Sequence, residues 1–203
     1  MVLNIFKDGK LIMDEIITVS DLMVPLDEYA TVNDNATLYE AVIALEKAQE
    51  KLDHKLRLHP HRTILVYDKN KKITGKISQF DVLLALEPKY QEMGDMRALS
   101  RAGFSLQFLK SMMEQFHLCD ETFSAMCTKA ANVKVKDFMY TPTEGEYIEA
   151  EAPLCEAIHQ FVMGHHQSLL VMREGEIAGI LRLTDVFKAV CQMIKTCTIP
   201  TDE

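Results

Sequence analysis

The chain has 203 residues, 48% of them hydrophobic, and a formal charge of -8, enough apolar surface for one or two packed cores, which excludes global disorder. The acidic balance argues against broad attraction to nucleic acid, which relies on a clustered basic face. No apolar run approaches the ~18 to 20 residues of a membrane helix, and the N-terminus lacks the basic-then-apolar pattern of a signal peptide, so a soluble, cytoplasmic protein is expected.

In chain order, Leu3 to Met13 suggests a hairpin turning at Asp8-Gly9 or a short irregular lead-in. Val19-Ser20-Asp21-Leu22-Met23 follows, then an extended stretch, Tyr29-Ala30-Thr31-Val32. Thr37 precedes Leu38, Ala41, Val42 and Leu45, with Glu40 at capping-box spacing, so a helix starts there. The segment from Glu46 to His59, rich in Lys, Glu and Leu, lengthens that helix or adds a loop. After His59-Pro60-His61-Arg62 comes Thr63 to Tyr67, a continuous apolar run suited to a strand buried on both faces. The polar turn Asp68 to Lys72 joins it to Ile73 to Ser78 as a hairpin. Asp81 then leads into Val82 to Leu86, a closing helix whose first turn Asp81 can cap.

From about Pro88 to Asn132 the pattern changes, with Gly94 and Gly103 as breaks. Phe104, Phe108, Met112 and Phe116 recur at fourfold spacing beside Leu109 and Met113, which predicts one strongly apolar helical stripe that must pack on something. Such a stripe is packing rather than a ligand box, and it suits an edge cover, a dimer contact or a partner surface.

The first motifs then return in the same order. Val135-Lys136-Asp137-Phe138-Met139 repeats the Asp-x-Met segment, and Glu146-Tyr147-Ile148-Glu149 the extended stretch. Pro153 presets a helix through Leu154, Ala157, Ile158 and Phe161. Gly164-His165-His166-Gln167 precedes the strand Ser168 to Met172, the turn Arg173 to Glu176 leads to Ile177 to Arg182, and Asp185 opens Val186 to Val190. The repeated unit is strand, helix, strand, strand, helix, and a unit this small buries its apolar face against its twin, which places the expected site between the copies. The expected organisation is a lead-in over 1–18, a first repeat over 19–87, a helical insert over 88–132, a second repeat over 133–196 and a tail over 197–203.

The paired segments Gly75 to Asp81 and Gly179 to Asp185, in register with duplicated Asp-x-Met and Leu-x-Glu-Ala motifs, resemble the tandem CBS-domain family, whose paired repeats form the regulatory Bateman module. The resemblance implies an α+β fold, two β-α-β-β-α repeats packed as a pseudo-twofold pair with a helical insert between them. It also implies a disk-like homodimer. In that family a hydroxyl and the aspartate of this segment hold the ribose hydroxyls of an adenosine compound. The resemblance therefore points to Ser78 and Asp81 in the first copy and to Thr184 and Asp185 in the second. The first copy departs from the pattern at Lys76, where an apolar residue is usual, and the second at Arg182, where Ser or Thr is expected. Arg182 is a candidate to meet a phosphate with its planar fork. Tyr29, Thr31 and Tyr147 stand where the family contacts the adenine, and His61, Arg62 and His166 stand where basic residues reach phosphates.

Each assignment has a plainer alternative: helix capping for the Ser/Asp pair, core packing for the tyrosines, surface loops for the histidines. A metal site at His59, His61, His165 and His166 would lack supporting carboxylates. Cys119, Cys127, Cys155, Cys191 and Cys197 show neither a Cys-x-x-Cys pair nor zinc spacing, so free thiols are expected, with Cys155 and Cys191 as small apolar residues. No hydrolase, zincin, P-loop or Cys/His nucleophile pattern appears, so no enzyme and no required cofactor is expected.

The leading expectation is a sensor that binds AMP, ADP, ATP or S-adenosylmethionine between the repeats and passes a conformational change to a partner. The alternative is an interaction or dimerisation scaffold with degenerate ligand sites that uses the helical insert as its binding surface.

Overall fold

The computed structural model describes residues 16–53, 62–93 and 103–196, together with the strands Phe6–Lys7 (β1) and Lys10–Leu11 (β2). These two pair antiparallel, Phe6 opposite Leu11, as the expected N-terminal hairpin requires. The fold is α+β and contains the predicted unit twice. The chain divides into two compact units, one taking Met1–Tyr29 with Pro142–Glu203 and the other Ala30–Thr141.

The continuous unit, Ala30–Thr141, has a three-stranded sheet of β4 (Thr31–Asn33), β5 (Thr63–Tyr67) and β6 (Ile73–Ser78) in that order. β4 runs parallel to β5, and β5 antiparallel to β6. Helix α1 (Leu38–Asp53) follows β4, and α2 (Gln79–Leu86) follows β6. The predicted capping box is formed: the Thr37 amide donates to Glu40 Oε2 at 2.7 Å, and the Glu40 amide to Thr37 Oγ1 at 3.2 Å. The Thr37 amide first, then the Thr37 hydroxyl, which donates to the same Oε2 at 3.1 Å, hold the Glu40 carboxyl below its ordinary value of 4.5.

The core gathers Ala30, Val32, Ala41, Ile64, Val66 and Ile77 with Val135 from the second Asp-x-Met segment. Leu65, on the other face of β5, is equally buried, as a continuous apolar run predicts. The β5–β6 turn is built by Asp68, whose Oδ1 accepts from the amides of Asn70 and Lys72 at 2.8 and 3.0 Å.

The insert holds two helices, α3 (Leu106–Gln115) and α4 (Phe123–Ala131). The predicted break at Gly103 has φ +77°, and Ser105 caps α3 by accepting from the Phe108 amide at 3.1 Å. The break expected at Gly94 lies outside the described residues. α4 packs through Ala130 against Leu38 and Ala85. The expected apolar stripe lies on α3, which buries none of its residues against the described chain, and Leu106 is 77% exposed. Within it Phe104 and Phe108 stack on each other, centroids 5.3 Å apart.

The discontinuous unit carries a four-stranded sheet in the order β3 (Val24–Pro25), β9 (Glu176–Arg182), β8 (Ser168–Arg173), β7 (Tyr147–Glu149). Helices α5 (Leu154–Gly164) and α6 (Leu183–Thr196) follow β7 and β9. Val19 and Leu22 join Ile148, Leu154, Phe161, Leu169, Val171 and Leu181 in its core. Glu174 and Gly175, at φ +52° and +81°, form the two-residue turn whose twist suits a tight hairpin. Pro153 stands just ahead of α5 at the cap, with ψ 147°, rather than within its first turn.

Each Asp-x-Met segment thus lies in the unit that holds the other repeat's sheet. Val24 and Pro25 pair with Ile180 and Gly179, and Tyr140 exchanges backbone hydrogen bonds with Lys76 at 2.9 Å. The two motif glycines permit this approach. A Cβ on Gly179 would sit 2.3 Å from the Val24 carbonyl oxygen, and one on Gly75 would sit 2.6 Å from Met139 Sδ.

Candidate functional site

Except for Tyr29 and His61, the predicted site residues lie toward one end of each sheet. In the Ala30–Thr141 unit, Ser78 ends β6 opposite Thr63, the first residue of β5, which puts exposed Arg62 at the same end. Thr31 starts the parallel strand β4 opposite Leu65 and is exposed. At the corner between β6 and α2, the Ser78 amide and hydroxyl both donate to Asp81 Oδ2 at 2.7 Å, and the Asp81 amide donates back to Ser78 Oγ at 3.3 Å. The capping role is therefore real. It engages a single carboxylate oxygen: Asp81 Oδ1 accepts no hydrogen bond from a described residue. His61 and His59 lie outside the described residues.

In the discontinuous unit Arg182 occupies the place of Ser78, ending β9 opposite Ser168, the first residue of β8. Its guanidinium meets Asp185 as a fork, Nε to Oδ2 at 2.5 Å and Nη2 to Oδ1 at 2.8 Å. Both carboxylate oxygens are engaged, and Arg182 is 7% exposed. Thr184, half-buried, stands between the two. The Leu183 amide donates to the Gln167 carbonyl at 3.1 Å, which ties the loop carrying His166 to this corner. The His166 ring lies over Gly164, in space that a Cβ there would fill at 1.9 Å from Nε2, and His165 takes a left-handed φ of +50° to end α5. The two histidines have a structural part in this turn.

Tyr147 starts β7, half-buried, and burial first, then the neighbouring Glu146 carboxyl, pushes its phenol above the ordinary 10.0. Tyr29 is buried in the discontinuous unit, whereas Thr31 belongs to the other. The structure thus joins Ser78 to Asp81 and Arg182 to Asp185 by direct bonds, places Arg62, Thr31 and His166 at the matching sheet ends, and puts Tyr29 in a core.

Some participants escaped the sequence. Glu146 is buried and accepts from the Thr143 amide at 3.2 Å. Gln160 of α5 donates to the Tyr147 carbonyl at 3.3 Å, fixing the strand beside its phenol. Lys76, the departure from the family pattern, holds its ammonium 5.4 Å from the centre of the Tyr140 ring, so the second repeat's aromatic accommodates the first repeat's cation.

Among the described residues no group of three or more His, Cys, Asp or Glu side chains is placed to hold a metal ion, and Cys119, Cys127, Cys155 and Cys191 are unpaired. Cys155 is exposed rather than packed. No helix among the described residues is long and apolar enough to cross a membrane.

The family model of the CBS domain matches residues 19–88 and 135–192. No curated protein matches the chain in sequence. Solved structures do share its fold. A CBS domain-containing protein from Bacillus anthracis is 19% identical with a TM-score of 0.56, over 87% of this chain and 94% of that one. CBSX2, a CBS-pair protein of Arabidopsis thaliana, has been solved in complex with AMP, and that structure is 20% identical with a TM-score of 0.50, over 87% of this chain and 98% of that one. A protein from Methanocaldococcus jannaschii is 17% identical with a TM-score of 0.52 over 87% of this chain, which spans only 60% of its length.

Proposed function

Since this chain belongs to the CBS-domain family, with both of its repeats matched, we propose that it is a non-catalytic regulatory module that senses an adenosine compound at the corner between β6 and α2. The observation that carries this reading is the half-engaged carboxylate of Asp81: Ser78 fixes Oδ2, and Oδ1 accepts nothing from the described residues. A ribose offers vicinal hydroxyl donors, and a pre-positioned carboxylate oxygen is the acceptor they need. Exposed Arg62, at the same end of the sheet, supplies a cation for a phosphate. The AMP held by CBSX2 supports the choice of ligand class.

A bound nucleotide regulates only through unequal affinity for two states of the module, which a partner protein then reads. The reading includes a homodimer acting in the cytoplasm. Titration calorimetry of the full chain with AMP, ADP, ATP and S-adenosylmethionine tests it. Saturable binding of at least one compound is expected, weakened tenfold or more by Asp81→Ala. Heatless titrations with all four overturn it.

One observation favours a second reading, an interaction scaffold: α3 exposes Leu106, Phe108, Leu109 and Met113 on a helix with no buried residue. Under that reading no adenosine compound binds, and Leu106→Glu with Phe108→Glu abolishes self-association measured by light scattering.

A further inference from the structure

The two strand-to-helix corners carry the same aspartate with different residues three positions ahead of it. At the first, Ser78 leaves one oxygen of Asp81 unclaimed and its charge uncompensated by any described cation. At the second, the Arg182 fork claims both oxygens of Asp185 and cancels the charge. We propose that Arg182 is a built-in occupant of the second corner, standing where a ribose diol would bind, so that the chain takes up one adenosine compound rather than two.

The inference rests on the reading above that the Asp81 corner receives a ribose. A fork and a vicinal diol present the same thing to a carboxylate, two donors side by side, and the guanidinium adds a full charge that the diol lacks. The pair is also sheltered, with side chains 9% and 19% exposed, so a ribose would have to displace a buried guanidinium from its carboxylate to enter. The strand end is pinned as well: Arg182 is in register with Ser168, and the next amide, Leu183, is held by Gln167. Arg182 is therefore a specificity-determining residue that closes a site, and a phosphate would have to compete with Asp185 for its fork.

The test is AMP calorimetry on the full chain, with circular dichroism melting to confirm that each variant folds. The wild type is expected to bind one AMP per chain and Arg182→Ser, which restores the Ser-x-x-Asp pattern of the first corner, to bind two. The double variant Asp81→Ala/Arg182→Ser isolates the opened corner and is expected to bind one. Should the serine variant unfold, Arg182→Thr makes the same measurement. A folded double variant that binds nothing overturns the inference, as does a tenfold loss of wild-type affinity on Arg182→Ser alone, which would mean that the guanidinium touches the ligand. A silent wild type with a binding double variant sinks the first-corner reading and with it the count of one, and leaves only Arg182 as the occupant of the second corner. A wild type that binds one AMP through Asp81, with no gain in either opened variant, does the reverse.

Discussion

The two repeats reach one backbone with different local chemistry. The first starts its helix with the Thr37–Glu40 box, turns its hairpin on the Asp68 side chain, and closes on Ser78 and Asp81. The second starts with Pro153, turns on left-handed Glu174 and Gly175, and closes on Arg182 and Asp185. What both keep is the close passage of the segment at the other repeat's Asp-x-Met motif, its leader, over a motif glycine: the Val24 carbonyl over Gly179, and the Met139 side chain over Gly75. Close approach at a glycine is what the two copies share, while their caps and turns reach the same backbone by different means.

The sharpest way to break that parallel is to add a methyl group at each glycine. Gly179→Ala meets a backbone oxygen at 2.3 Å, which cannot move without unpairing β3, so a loss of about 3 kcal/mol in urea unfolding is expected. Gly75→Ala meets the flexible end of Met139 first, and about 1 kcal/mol is expected. Equal losses would mean that the two contacts are not as different as their atoms suggest.

A smaller effect separates the corners. Ser78→Ala removes the hydroxyl that caps α2 and leaves the Ser78 amide on Asp81, so a cost of about 1 kcal/mol is expected in the same assay. The smallest effect concerns the caps of the first helices. Glu40 has a folded pKa below its ordinary 4.5, so its contribution to stability is present above that value and is lost as pH falls through the lowered folded value. NMR titration should put its midpoint below 4.5 and show Thr37→Ala moving it upward. The second repeat, with Pro153 in that place, offers no counterpart.

Much of this was legible in the sequence because duplication and hydrophobic period are local signals. The apolar runs at Thr63 to Tyr67 and Ser168 to Met172 announced strands buried on both faces, and Gly103 announced a break. The Ser78–Asp81 bond could be anticipated because both partners sit within one helical turn. The exchange of leaders could not, since Val24 pairs with Ile180 and Val135 enters a core built from residues far earlier. Nor could the destination of Arg182: its fork reaches Asp185 in the same three-residue span where Ser78 makes a cap, and only rotamer and burial distinguish a pairing arginine from one that awaits a phosphate. The stripe of α3 has helical period yet finds no core among the described residues, because period records amphipathicity and not what covers it.

The pairing of Val24 with Ile180 also has a consequence for birth on the ribosome. The segment Ala30–Thr141 is continuous and can complete its core while the rest is still being translated. The first leader emerges earlier than all of it and waits for a strand made about 150 residues later, on the order of ten to thirty seconds at usual elongation rates. During that interval nascent Val19 and Leu22 are apolar surface without their core, open to the contacts that chaperones shield.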